Sequence, residues 1–149
     1  MIHTSNELFE YFKSHIGKSY PKDMNTFGAW LQPIIKKVER EELHLEFALR
    51  PEEGNPAGTV HGGVIAAIID ETIGAMMYYT GEPHFKSTIN LSVDYLNSCR
   101  PGDVILCRAR LVKAGKTLLH ATADILREDD GKIIASGSSS LIVMVKSAS

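Results

Sequence analysis

Within HGGVIAAIIDETIGAMMYY, residues 61–79, two carboxylates stand inside the most apolar run of the chain, Asp70 and Glu71. Taking an ionised carboxylate out of water costs several kcal/mol or raises its pKa strongly, unless partners or solvent receive it. The same run begins with His61, Gly62 and Gly63. If it is helical, its first backbone N–H groups have no internal partner, and the macrodipole makes that end electropositive. Glycines there let a ligand oxygen approach the amides, and a negative or polarised oxygen is what such an end receives. One element thus carries an acid and an oxygen-binding end. On HGG alone, a plain glycine turn entering a helix is the simpler reading.

Asp70 lies eight residues beyond Gly62, about 12 Å further along the axis at 1.5 Å per residue. One helix cannot aim both its N-terminus and Asp70 at one small reacting group. Two helices related by a two-fold axis can, the N-terminus of one facing the middle of the other. If both groups act on one substrate, the spacing fits an isologous homodimer with two composite sites. Glu71 is rotated about 100° from Asp70 at 3.6 residues per turn, and reads as an interface or supporting group.

The elements that must hold this helix follow from periodicity. Residues 5–16 repeat apolar positions at helical spacing (Leu8, Phe9, Phe12, Ile16), with Ser5 as the expected cap. A Gly/Pro-punctuated connector carries a second short helix around Met24 to Leu31. PIIKKVEREELHLEFAL reads as two short strands with a turn near Arg40–Glu42, and Leu43, Leu45, Phe47 and Leu49 face one way. After the long apolar helix, STINLSVDYL, DVILCRARLVKAG, KTLLHATADILRE and KIIASGSSSLIVMV are four further strands, divided by NSCRPG, AGK and EDDG turns. A helix that is apolar all round needs cover on more than one side. A curved antiparallel sheet wrapped around a long central helix supplies it, an α+β architecture that matches the hotdog fold in element order and length. Residues 1–149 read as one such domain, with an N-terminal helical segment over about 4–31.

Bulk properties agree with one globular domain. Of 149 residues, 44% are hydrophobic and 23% charged, enough for one core and not two. A net charge of −2 gives no basis for nucleic-acid or anionic-membrane binding. No apolar run is long enough to span a bilayer, and MIHTSNELFEYFKSHIGKSY lacks the basic head and continuous apolar stretch of a signal peptide. The expectation is a cytoplasmic protein without a membrane partner. Cys99 and Cys107 have neither CxxC nor metal-ligand spacing, so reduced core thiols are expected, with a hairpin disulfide as the alternative.

NPAGTVHGGVIAAIIDETIGAM resembles the central motif of the PaaI-like acyl-CoA thioesterases of the hotdog superfamily. The shared elements are Asn55, HGG six residues on, and an acid eight residues after the first Gly. The likeness extends over about residues 35–145, through STINLSVDYL and the Pro-Gly and Gly-Lys turns at 101–102 and 115–116. The resemblance implies that Asp70 activates water or attacks the thioester carbonyl. It implies that Gly62 of the other subunit donates its N–H to the carbonyl oxygen, with Gly63 beside it. Asn55 would position the water or the thioester, and His61 would support the oxyanion or leaving-group side. Thr88 falls where the family often has a Ser or Thr bonded near the acid. Relatives that use Glu often carry Ser or Thr one turn later, where this chain has Gly74; the site therefore resembles the Asp type, with Thr88 as its polar helper.

The chemistry agrees with these types. A thiolate with a pKa of ~8.5, taking cysteine as proxy for coenzyme A, leaves without a strong general acid. The site then needs an activated water and an electropositive pocket for the oxyanion. No cofactor and no metal are implied, since His44, His84 and His120 lack ligand spacing. Ser138–Ser140 lack a nucleophile elbow and read as a polar strand face. Met76, Met77 and Tyr79 are candidates for an adaptable apolar acyl pocket, with Met77 as the substrate contact. Lys113 and Lys116 flank a hairpin turn and are candidates for the coenzyme's phosphates. The expected substrate is an acyl-CoA and the expected assembly a homodimer, paired into a homotetramer. Two other readings remain: a hotdog hydratase or dehydratase acting on enoyl or hydroxyacyl thioesters, and a non-catalytic acyl-thioester-binding module.

Overall fold

The computed structural model describes residues 4–19, 22 and 26–145. Their elements are α1 (Ser5–Ser14), α2 (Thr26–Leu31), β1 (Ile34–Glu39), β2 (Glu42–Ala48), a short 3-10 turn at Pro51–Glu53, α3 (Gly62–Met77), β3 (Lys86–Tyr95), β4 (Val104–Ala114), β5 (Leu118–Arg127) and β6 (Ile133–Val143). This is the order expected from periodicity. Met24, expected in the second helix, lies outside the described residues.

The strands form one antiparallel sheet in the order β1-β2-β4-β5-β6-β3. Alternation decides which face meets the helix. In β2, Leu43, Leu45 and Phe47 are buried, with His44 and Glu46 on the other face, as the pattern requires. The curved sheet wraps α3, which packs against β2, β3, β4, β5 and β6. Ile68, Ile69, Ile73 and Met76 of α3 are completely buried, each worth about 1.5–3 kcal/mol relative to exposure. A helix with so little polar surface is stable only when wrapped in this way.

The N-terminal helix starts at Ser5, as expected, and ends at Ser14, two residues short of the expected Ile16. Its cap is Thr4, not Ser5, because Thr4 precedes Glu7 by three residues and completes a capping box: Glu7 N–H donates to Thr4 Oγ1 at 3.1 Å and Thr4 N–H to Glu7 Oε2 at 2.7 Å. Ser5 Oγ is thereby free for another partner and donates to the Gly81 carbonyl. Phe9 and Phe12 of α1 meet the ring of Tyr79 edge-on, both at 5.4 Å between centroids. These contacts dock α1 on the C-terminal end of α3.

Cys99 and Cys107 are both free and buried, which settles the choice between reduced thiols and a disulfide. Burial pushes the two thiols up to about 11 and about 12 respectively, so at pH 8 neither offers appreciable thiolate. The folded protein is expected to release no chromophore from an aromatic disulfide reagent at pH 8, and to react at both thiols once unfolded in guanidinium. Fast reaction of either thiol in the native protein would contradict this burial.

Candidate active site

The first turn of α3 is built by His61. With extended backbone (φ −61°, ψ 133°), it places its ring over the turn, and Nδ1 accepts the Gly63 N–H at 2.9 Å. The imidazole accepting there is neutral, with its proton on Nε2. A Cβ at Gly63 would stand 3.0 Å from Nδ1 and 3.2 Å from Cε1 of that ring. The two glycines therefore differ in purpose. Gly63 makes room for His61, whereas the Gly62 N–H has no acceptor among the described residues. Val64 and Ile65 N–H both turn to the His61 carbonyl, at 2.9 and 3.3 Å. Gly62 opens onto a cavity of about 360 Å³ shared with Val60, Ile65, Tyr95 and Cys99.

The loop before it is fixed by buried polar contacts. Glu53, 2% exposed, takes Arg50 Nε and Nη2 on Oε1 at 3.1 and 3.0 Å, and its carbonyl accepts the His61 N–H at 2.9 Å. Asn55 Oδ1 accepts the Ala57 and Thr59 N–H groups at 3.0 and 3.2 Å, while Nδ2 donates to Thr59 Oγ1 at 2.8 Å. Asn55 thus organises this loop; it lines neither the Gly62 cavity nor the Asp70 cavity.

Asp70 faces a second, larger cavity of about 540 Å³, together with Glu71, Gly74, Met77, Tyr78 and Thr88. Its Oδ1 accepts the Thr88 hydroxyl at 3.0 Å. The buried member of the acid pair is Glu71, 9% exposed, whereas Asp70 is half-buried on the cavity wall. Burial pushes the Tyr78 phenol above its ordinary range, and the Glu71 charge pushes it the same way. Gly62 and Asp70 open into different cavities of one protomer, as their axial separation demands.

Strand β3 connects the two. Thr88 near its start bonds Asp70, and Tyr95 at its end donates its hydroxyl to the Gly62 carbonyl at 2.8 Å. Its start hangs from α3 by Lys86, whose Nζ donates to the carbonyls of Met77, Thr80 and Glu82 at 3.1, 2.7 and 2.6 Å. All three ammonium protons are used, and two of the carbonyls belong to the end of α3 or just beyond it. Burial draws the Lys86 pKa down, and the Glu82 charge opposes that. Neither Lys86 nor Tyr95 was expected from the sequence. The available signal was a lone lysine at the first position of an alternating strand, directly after a helix end.

The remaining candidates separate. Met76, Met77 and Tyr79 are all core residues, and of the three Met77 alone also lines the Asp70 cavity. Lys116 lines a third cavity, of about 440 Å³, with Gly81, Glu82, His84 and Lys86, while Lys113 is exposed outside it. His44 Nε2 contacts Glu42 at 2.6 Å and His120 Nδ1 contacts Ser140 Oγ at 2.9 Å. Ser139 is fully buried and its Oγ donates to the Asn90 carbonyl at 2.9 Å, so the serine run is not the single polar strand face expected.

A family model described as Thioesterase superfamily matches residues 57–134, a stretch that includes Gly62, Asp70 and Thr88 and begins after Asn55. Acyl-coenzyme A thioesterase 13 of Mus musculus is 31% identical over 99 residues, which are 65% of this chain and 69% of that protein. The chain spans about two thirds of the length of such relatives. Among solved structures, the PaaI protein of E. coli, from the phenylacetic acid degradation operon, has a TM-score of 0.77 over 84% of this chain and 88% of that one, at 14% identity. A Streptococcus mutans protein bound to acetyl CoA has a TM-score of 0.70 over 76% of this chain and 90% of that one, at 23% identity. With the sheet order and the wrapped helix, these likenesses establish the hotdog fold.

The distinct purpose of Gly63 is testable by stability. Gly63→Ala is expected to displace the His61 ring and forfeit the cap, a loss of about 1 kcal/mol and about 2–4 °C in Tm for a chain of this size. In a His61→Ala background the same substitution should be neutral or stabilising, because alanine is the better helix former. Thermal unfolding of the four proteins checks this, and an equal cost in both backgrounds would remove the ring from the explanation.

Proposed function

The chain belongs to the thioesterase superfamily as a thioester hydrolase, and we propose that its substrate is an acyl-coenzyme A thioester cleaved between two copies of the chain. The observation that carries the reading is the pair of hydrogen bonds along β3, Thr88 to Asp70 and Tyr95 to Gly62. Among the described residues β3 is an edge strand, bonded only to β6, with its outer edge open. Ile89 and Tyr95 on it are each 56% exposed. A ten-residue open edge with apolar side chains favours pairing with another strand.

Antiparallel pairing of β3 with its copy, about a two-fold axis through Ser92 and with the bulge between Thr88 and Asn90 taking up one extra residue, sets Thr88 opposite Tyr95 of the second copy. It thereby sets Asp70 beside the Gly62 N–H of the second copy. The thioester carbonyl oxygen then lies at that N–H, and water held by Asp70 lies at the carbonyl carbon. Asp70, oriented by Thr88, takes a proton from water as the C–O bond forms. The tetrahedral oxyanion is held at the helix end, the C–S bond breaks, and the thiolate leaves. Direct attack by Asp70, followed by hydrolysis of the resulting anhydride, uses the same geometry. His61 acts by fixing the turn that aims Gly62. Asn55 acts by shaping the loop behind it. The mouse relative's name and the acetyl CoA in the S. mutans structure support coenzyme A as the carrier.

Release of free thiol from a panel of acyl-CoAs is the direct assay. Asp70→Asn is expected to fold normally and lose about 10²–10⁴-fold in kcat, the range for a general base. Co-refolding it with a bulky Gly62 variant, itself inactive, should restore activity, up to about half of normal per mixed dimer, since one composite site is then intact. No restoration would mean that each site lies within one chain, and full activity in Asp70→Asn with loss in Glu71→Gln would transfer the role to Glu71.

The coenzyme's phosphates are assigned to Lys116, with Lys113 as the outlying member. Such a contact is equal in ground and transition states, so Lys116→Ala should raise KM for acyl-CoA with kcat nearly unchanged. The effect should shrink with salt, given screening over ~10 Å at 0.1 M, and vanish for a thioester lacking the nucleotide. An unchanged KM at low salt would place the phosphates elsewhere.

A further inference from the structure

α3 carries one glycine that no local need explains. Gly74 is interior to the helix, three residues before its last residue, Met77, where glycine costs about 1 kcal/mol relative to alanine. It is not among the glycines of positive φ, and a Cβ built on it would meet nothing within 4 Å. Other glycines of the core differ. A Cβ at Gly137 would stand 3.1 Å from Ile69, and Gly63 makes room for His61. At Gly74 neither a turn nor a close approach excludes a side chain.

What the missing side chain leaves is open space beside the acid. Gly74 follows Asp70 by four residues and Glu71 by three, so all three share one helix face, and all three line the larger cavity. Cα–Cβ bonds tilt toward the helix N-terminus, so a side chain at 74 would cover the turn that carries Asp70. It would stand between the carboxylate and the interior of the cavity. Beyond it the walls are Met77, Tyr78, Phe85 and Leu141. A cavity of about 150 Å³ accepts benzene, and the one beside Asp70, at about 540 Å³, is more than three times larger.

We propose that Gly74 determines acyl specificity: the bare turn beside Asp70 admits acyl groups that are bulky next to the carbonyl carbon, aromatic or branched. The proposal rests on the thioesterase reading above. Met77, unbranched and deformable, lines the far side and adapts to the shape of the group.

The test is the ratio of kcat/KM for benzoyl-CoA to that for acetyl-CoA. Gly74→Val is expected to lower this ratio by about 10–200-fold, the range for steric discrimination in an apolar pocket. Gly74→Ala should lower it less while raising Tm, which shows that the smaller variant folds. The same ratio is read from binding of phenacyl-CoA and acetonyl-CoA, thioethers that cannot be hydrolysed, and it should fall in parallel. A ratio unchanged in both variants would overturn the proposal. So would a change in oligomer size on Gly74→Ala, which would assign the glycine to an interface. If the wild type hydrolyses no thioester, the activity reading fails alone, and the binding ratio still decides for or against Gly74.

Discussion

The arrangement of the site depends on how β3 is hung along α3. Three side chains hold it: Lys86 on the carbonyls at the end of the helix, Thr88 on Asp70 and Tyr95 on Gly62. These contacts fix the distance along β3 between the acid and the helix end. The Lys86 contact does most to fix the register. A buried ammonium is costly unless every proton is received, and here three carbonyls receive it. A slip of one residue would turn Thr88 to the other face of the strand and leave Asp70 without its donor.

That seating is possible because α3 is wrapped. Ile68, Ile69 and Ile73 bury one side against the sheet, and Phe9 and Phe12 of α1 close over Tyr79 at the far end. Interiors are packed like crystals, so the helix can neither slide nor rotate without opening voids. The side of α3 that lines the larger cavity carries Asp70, Glu71, Gly74 and Met77. Rigidity on the wrapped sides and space on this one come from the same packing.

Much of this was legible in the sequence because it was written in periodicity. Alternation of Leu43, Leu45 and Phe47 gave β2 its inner face, and the turn clusters divided the last four strands where they end. The eight-residue spacing of Gly62 and Asp70 sets them about 12 Å apart along the helix, and they line separate cavities. What was not legible depends on tertiary contact. Nothing local shows that Gly63 serves the His61 ring rather than a ligand, or that Thr4 rather than Ser5 caps α1 until Glu7 is paired with it. The occupants of the cavity could not be told apart either, since Met76 and Met77 are neighbours in sequence and both buried in the core, yet only Met77 also reaches the cavity.

The adjacent acids show the same principle on the smallest scale. Both line the cavity, but a rotation of about 100° along the helix leaves Glu71 only 9% exposed and Asp70 half-buried. Asp70 keeps contact with water there and needs only one protein donor, Thr88, to fix its orientation. An acyl group filling the cavity would displace much of that water. In the lower dielectric that results, the attraction between a forming oxyanion and the helix end strengthens. On the proposed reading, the acid that acts is the more exposed of the pair, Asp70, and not Glu71, which is 9% exposed.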